Sequence, residues 1–444
     1  MLQRTLINNG FWLVLRDIIN IFIRTFGSFF VMALIEPSIY GQFASIVATF
    51  TLLSIIGQMG LNVYIMKAAV LMPIEEETAN FIALVNSIVM SAILTGISFF
   101  FYKNYLLLMI LPIISLFFII IKMPFLGHVE RKIDFKRISQ IDINSQLLFY
   151  IVTIPSVLIG ENKMASLLMG QSMSVLYASI HTIFLSRSKI KIGLNSKKLK
   201  DILSFGFNYM ISSLSSQMKF LLNIILPNIV GTDLSGKVAF SNRLAETFNI
   251  FGDMTRRLSI VGSVRVATPV NFLNKGLLYI NICVGSLLCC VILILPHVIE
   301  MFLIKWTQII DLIPFLCIGT LLYSSVPLFS SIFYLKNKIK LVTLFAVIQN
   351  SILILSTILV LPRYGLKSYG VCFALSSTFS IVQFFIIKRY YKETKFSGLI
   401  IALYYSLLML FSLYFNYIVL LGFLPLLKID FKEIIHSIKN RKTA

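Results

Sequence analysis

Long apolar runs separated by short, basic polar stretches set the pattern of this chain. Runs near 11–35, 42–64, 81–101, 105–121, 141–160 and 164–185 fill the first half. Runs near 205–228, 237–255, 276–296, 309–334, 341–361 and 369–387 fill most of the second. Each holds about 20 residues, the length a helix needs to cross a bilayer. Backbone groups in lipid must be satisfied within their own segment, so continuous runs of this length predict helices rather than strands. The expected class is an all-α polytopic membrane protein with about 12 core spans. A further apolar stretch at 398–427, interrupted by Asn416 and Pro425, raises the count to about 14 if it folds as a tight pair of short helices rather than one tilted span. The first run lacks a short apolar core followed by a small-residue cleavage site, so it reads as a span rather than a signal peptide.

Polar positions inside the apolar runs have their own periodicity. In the first run Arg16, Asn20, Arg24 and Ser28 recur every four residues, along one side of a helix. A charged side chain at mid-membrane costs about 3 kcal/mol on insertion scales, so such a stripe is expected to face a partner or a watery cavity.

The same design returns later. A shift of 195 positions lays Lys219 on Arg24, Ser215 on Asn20 and Asn223 on Ser28. Without a gap it also lays Gly236 on Gly41, Ala239 on Ala44, Gly252 on Gly57 and Met254 on Met59. The stripe Thr51, Ser54, Gln58 and Asn62 falls on Glu246, Asn249, Asp253 and Arg257. Coincident polar positions are informative where coincident leucines are not, because any two membrane helices share leucine. The chain therefore reads as an internal repeat: an N-terminal lobe over 1–200, a C-terminal lobe over 201–395, and a C-terminal apolar segment with a basic tail over 396–444.

Composition agrees with this class: 58% of residues are hydrophobic and 13% charged, and the mean hydropathy is +0.89. A soluble domain of this size could not bury so much apolar surface. The net charge of +21 raises the prospect of a nucleic-acid partner, but its distribution gives another explanation. Basic residues crowd alternate loops, such as Lys122 to Arg137, Arg187 to Lys200 and Lys388 to Lys395, while the intervening loops hold few. This is the positive-inside bias. It predicts a multi-pass protein of the bacterial cytoplasmic (inner) membrane with a cytoplasmic N-terminus, membrane lipids as surroundings and no nucleic acid. An even number of spans per lobe makes the lobes parallel repeats about the membrane normal. Residues 256–275 are too charged to cross and read as an amphipathic surface helix.

No catalytic constellation is present in the sequence. His128, His181, His297 and His436 are scattered, and there is no phosphate-cradling glycine loop, zinc spacing or nucleophile elbow. The five cysteines lie in apolar runs without metal-ligand spacing. The expectation is a non-enzyme without cofactor or metal.

The candidate site therefore rests on polar residues within spans. Arg24 and Lys219 occupy equivalent positions in the two repeats, and facing each other across a cavity they would repel unless an anion joined them. Guanidinium beside ammonium suits phosphate. Arg16, Asn20, Ser215, Asn223 and Asn249 extend this substrate-binding set, and Asp17, Glu246 and Asp253 are the carboxylates that could couple a proton or sodium ion. Two alternatives stay open: Arg16 with Asp17 near a span end could reach the headgroups, and Arg243 with Glu246 could pair along one helix.

At this point the chain resembles polysaccharide or lipid-linked oligosaccharide flippases of the multidrug/oligosaccharidyl-lipid/polysaccharide exporter superfamily, the O-antigen type in particular. The resemblance is carried by Pro37, Tyr40 and Gly41 with the following Gly57 and Gly60, by Ser204, Phe205 and Gly206 opening the seventh run, and by Leu361 to Gly365 followed by Tyr369 and Gly370. The second repeat departs from the family at Ser235, Gly236, Lys237 and Val238, where a Gly-x-Tyr-like step is common. The resemblance implies two six-helix lobes around a central cationic cavity. It also implies alternating access, an undecaprenyl-diphosphate-linked sugar unit as substrate, and assembly partners such as a polysaccharide polymerase or chain-length factor. A cation-coupled drug or metabolite exporter of the same superfamily and a non-transporting scaffold of an envelope-polymer complex are the competing expectations.

Overall fold

The computed structural model describes residues 2–67, 71–132, 135–186, 191–265, 269–325, 339–390, 395 and 397–428, and no strand occurs among them. The first half holds α1 (Leu2–Leu34), α2 (Pro37–Gln58), α3 (Leu61–Lys67), α4 (Pro73–Phe101), α5 (Leu106–Arg131), α6 (Phe135–Ile159) and α7 (Lys163–Ser186). The second holds α8 (Ser196–Gln217), α9 (Phe220–Val230), α10 (Thr232–Arg265), α11 (Pro269–Phe302), α12 (Ile313–Ser325), α13 (Ile339–Tyr364), α14 (Leu366–Tyr390) and α15 (Ser397–Phe411). Nine stretches among the described residues are long and apolar enough to cross a membrane. The protein is an all-helical membrane protein.

Helix boundaries follow local chemistry. α2 opens on Pro37 after an extended Glu36, the position where a missing N–H costs nothing. It ends at Met59 and Gly60, both with positive φ, and α3 then completes the span. α8 starts at Ser196, earlier than the hydropathy suggests, because the Asn195 side chain accepts from the Lys197 and Lys198 backbone N–H groups. Hydropathy marks where apolar surface begins, whereas capping marks where the helix begins. Likewise the tenth run opens with a 3-10 segment, Ile304–Leu312, ahead of α12, and its last part lies outside the described residues.

Residues 256–265 continue α10 and 269–275 belong to α11, so they are not a separate surface helix. No proline interrupts 232–265, and Pro269 begins the next helix.

The chain forms two compact units, Met1–Phe240 with Ala346–Ile358, and Ser241–Phe345 with Leu359–Ala444. Within the first, α6 packs on α1 and α7, α5 on α4 and α7, and α2 on α9. The beginnings of α2 and α10 meet at two glycines. A Cβ on Gly41 would overlap the Thr232 carbonyl oxygen and lie 2.8 Å from the Gly236 nitrogen. A Cβ on Gly236 would overlap the Pro37 carbonyl oxygen and lie 3.0 Å from the Gly41 nitrogen. The absent side chains allow backbone to touch backbone.

Within the second unit, α11 packs on α12 and α15, and α12 on α14 and α15. The segment after α15 breaks at residues 412–415 and returns as the 3-10 stretch Asn416–Lys428. It is tied back by Tyr404 and Tyr405, whose hydroxyls donate to the Leu421 and Gly422 carbonyls at 2.9 and 2.7 Å.

Candidate functional site

Three of the four stripe residues on α1, Arg16, Arg24 and Ser28, are met by side chains of α6. The Arg16 guanidinium bonds Asp17 at 2.8 Å and Asp142 at 3.0 Å. One turn pair further on, Arg24 Nε donates to Gln146 Oε1 at 3.1 Å. At the far end the Tyr150 hydroxyl lies 3.1 Å from Ser28 Oγ and donates to the Arg24 carbonyl at 3.2 Å. Asp142, Gln146 and Tyr150 are themselves four residues apart, so two helical stripes of the same period run side by side. Gly27 lets this happen, since any Cβ there would meet the Tyr150 ring at 2.5 Å. Between the two arginines, Asn20 is buried and its Oδ1 has no hydrogen-bond partner.

The two arginines differ in surroundings. Arg16 is 14% exposed and bonds two carboxylates, which offset much of the cost of placing its charge in the membrane. Arg24 is exposed, and the acceptor offered by Gln146 carries no charge. The Gln146 bond orients Arg24, whose charge also acts on Asp142. Lys122 of α5 and Arg24 both act electrostatically on Asp142, and Asn62 donates to Glu130 at 3.3 Å. Charge is thus concentrated where α1, α5 and α6 pack.

Lys219 lies where the seventh span is interrupted. α8 stops at Gln217 and α9 starts at Phe220, and across the join Leu221 and Leu222 donate to the carbonyls three residues back, Met218 and Lys219. The half-buried Lys219 ammonium sits 5.9 Å from the Phe220 ring centroid. Ser215, one turn earlier, is buried and its hydroxyl donates to the Ile211 carbonyl at 2.7 Å. Asn223, one turn later, has a buried Oδ1 without a partner.

In the second unit Glu246 is half-buried on α10 and acts electrostatically on Tyr369 of α14, whose hydroxyl donates to Asn242. The side chains of Asn249 and Asp253 lie outside the described residues. Asp142, Gln146 and Tyr150 were missed by sequence reasoning, and Lys122, read as a loop residue after the fourth run, lies within α5. The four-residue spacing of the first three was the available signal. Among the described residues no group of His, Cys, Asp or Glu is placed to hold a metal ion.

Residues 30–250 match the family model described as polysaccharide biosynthesis protein. Among solved structures, a lipid II flippase MurJ in an inward closed conformation superposes with a TM-score of 0.75 at 15% identity, covering 97% of this chain and 100% of that one. A multidrug resistance MATE family transporter in an inward-facing conformation gives a TM-score of 0.57 at 13% identity, covering 85% of this chain and 100% of that one. A transporter from Pyrococcus furiosus, described as having a binding pocket of reverse polarity, gives 0.55 at 15% identity, covering 86% and 95%. No curated protein matches the chain in sequence. Residues 30–250, just under half of the chain, thus resemble the polysaccharide biosynthesis protein family, and the fold over most of the chain is the one shared by the lipid II flippase and the MATE family transporters.

Proposed function

We propose that this transporter is a flippase that moves an undecaprenyl-diphosphate-linked oligosaccharide, such as an O-antigen or other surface polysaccharide repeat unit, from the cytoplasmic to the outer leaflet of the bacterial inner membrane. The observation that carries the proposal is the pair of repeat-related cations, Arg24 within α1 and Lys219 at the break between α8 and α9. A diphosphate offers the oxygens that a guanidinium and an ammonium bind together. Arg24 and Lys219 take the diphosphate, and Asn20 and Asn223, whose buried oxygens lack partners, accept from sugar hydroxyls or bound water. Arg16 closes one end of the stripe, held in place by Asp17 and Asp142. The polyprenyl chain stays in lipid.

Transport follows alternating access, as in transporters built from repeated lobes, here 1–200 and 201–395. The N-terminus and even loops are cytoplasmic, which puts the Gly41 and Gly236 crossing at the outer face. Asp17, Glu246 and Asp253 are the carboxylates available for ion coupling, and Asp142 joins them. The chain carries no chemistry of its own, and a polysaccharide polymerase or chain-length factor would consume its product.

The test is the leaflet distribution of lipid-linked sugars in cells lacking the protein and in cells carrying Arg24→Ala with Lys219→Ala. Accumulation on the cytoplasmic leaflet in both strains, at normal protein level, is the expected result. An unchanged pool together with new sensitivity to cationic drugs would replace the flippase with a drug exporter. Full function of the double variant, with loss only in the deletion, would point to a scaffold.

A further inference from the structure

The interruption of the seventh span has no proline or glycine to cause it: residues 215–220 are Ser, Ser, Gln, Met, Lys and Phe. In an unbroken α-helix the Ser215 carbonyl would accept from the Lys219 N–H. At the end of α8, Asn350 of α13 donates its Nδ2 to the Ser215 carbonyl at 2.7 Å. Beyond this point the bonds tighten to three-residue spacing, Leu221 to Met218 and Leu222 to Lys219, at 2.9 and 3.1 Å. A side chain inserted into the ladder is one of the few established causes of a helix kink, and freed carbonyls in a membrane must be met by protein. The Ser215 hydroxyl is itself used on the Ile211 carbonyl, so the cap comes from outside the span. Asn350 lies in Ala346–Ile358, the part of α13 that packs within the first compact unit.

We infer that Asn350 is a positioning residue for the substrate site: by capping the Ser215 carbonyl it holds the seventh span broken at Lys219 and so sets where the ammonium is presented. The inference rests on the flippase reading for its substrate, but not for its geometry. Asn350 touches no part of the proposed ligand, and acts through Lys219. Its amide is a donor that a carboxylate cannot replace, since Asn350→Asp would set an anion against a carbonyl oxygen.

Two readouts test it. The first is the reactivity of a thiol introduced by Lys219→Cys toward a water-soluble methanethiosulfonate, with Cys283, Cys289, Cys290, Cys317 and Cys372 replaced by alanine. Adding Asn350→Leu or Asn350→Asp should change the modification rate by about three- to twentyfold, the range that one interhelical hydrogen bond in a membrane corresponds to, and Asn350→Gln should restore part of it. The second is binding of undecaprenyl diphosphate to purified protein retaining Lys219, where the same variants should weaken affinity by a similar factor while Asn350→Gln is milder.

Melting in detergent identifies any variant that fails to fold, and either of the two suffices. Unchanged reactivity at position 219 in folded variants overturns the inference, whatever the binding result. If wild-type protein binds no undecaprenyl diphosphate while the reactivity shifts as stated, the positioning role stands and the flippase reading fails.

Discussion

Gly41 and Gly236 face each other in a reciprocal contact: Gly41 abuts the Thr232 carbonyl, Gly236 abuts the Pro37 carbonyl, and the same 195-residue shift relates both pairs. A contact in which residue i meets j′ and residue j meets i′ is the signature of a twofold axis. The shift that aligns the two stretches in the sequence thus also relates the two halves of this contact where α2 and α10 begin.

Substituting either glycine should be costly to a similar degree. Alanine gains about 1 kcal/mol in helix propensity over glycine, but its methyl would overlap backbone, which cannot move aside like the end of a side chain. Gly41→Val and Gly236→Val should each lower stability in detergent by about 1–3 kcal/mol, read as a shift in melting temperature. Unequal effects, with one variant near wild type, would show the contact is not reciprocal in energy.

Arg16 and Asp142 should be coupled. A double-mutant cycle with Arg16→Ala and Asp142→Ala, followed by thermal unfolding, is expected to give an interaction energy of about 1–3 kcal/mol. Additive losses would mean that Arg16 is held by Asp17 alone.

The Tyr150 hydroxyl braces α1 through Ser28 and the Arg24 carbonyl. Tyr150→Phe should cost about 0.6–1.7 kcal/mol of stability and lower transport far less than Arg24→Ala. Equal loss of transport from the two would move the tyrosine into direct contact with substrate.

The linker ahead of α8 is strapped to α4. Lys198 Nζ bonds Glu75 Oε1 at 2.7 Å, Asn80 Nδ2 donates to the Lys191 carbonyl at 3.0 Å, and Gly193 donates to the Glu77 carbonyl at 3.3 Å. The Glu75 hydrogen bond raises the Lys198 pKa above its ordinary value, so the amine stays charged throughout the neutral range. Because the Lys198 shift is upward and the Glu75 shift downward, this tie is fully present between the ordinary carboxylate and amine ranges, lost as pH rises beyond about 10.4 and lost in acid as Glu75 protonates. Asn195→Ala should remove the helix cap at about 1 kcal/mol and, with Glu75→Gln, speed proteolysis within 187–200. An unchanged cleavage rate would show that the remaining backbone ties suffice.

The helical membrane class was legible because hydropathy marks such helices, and nine of the twelve expected spans are long and apolar enough among the described residues; the runs near 164–185, 205–228 and 237–255 are helical but more polar or interrupted. The α1 stripe was legible from its spacing, but not its partner: Asp142, Gln146 and Tyr150 carry the same period in a run whose apolar content dominated. The break at Lys219 had no sequence signal, because the residue responsible, Asn350, lies 135 positions away. A repeat can be found by sliding a sequence over itself, whereas the capture of one carbonyl by a distant amide exists only in three dimensions.

The middle of α13 also bears on how the protein is made. Ala346–Ile358 belongs to the first compact unit, yet residues 241–345 of the second are synthesised before it. The ribosome therefore delivers most of one unit before the other can close, and the contact between Asn350 and the Ser215 carbonyl forms only after Asn350 has emerged. Biogenesis cannot proceed unit by unit, and chain termination anywhere before residue 350 leaves the seventh span without the contact that Asn350 makes at its break.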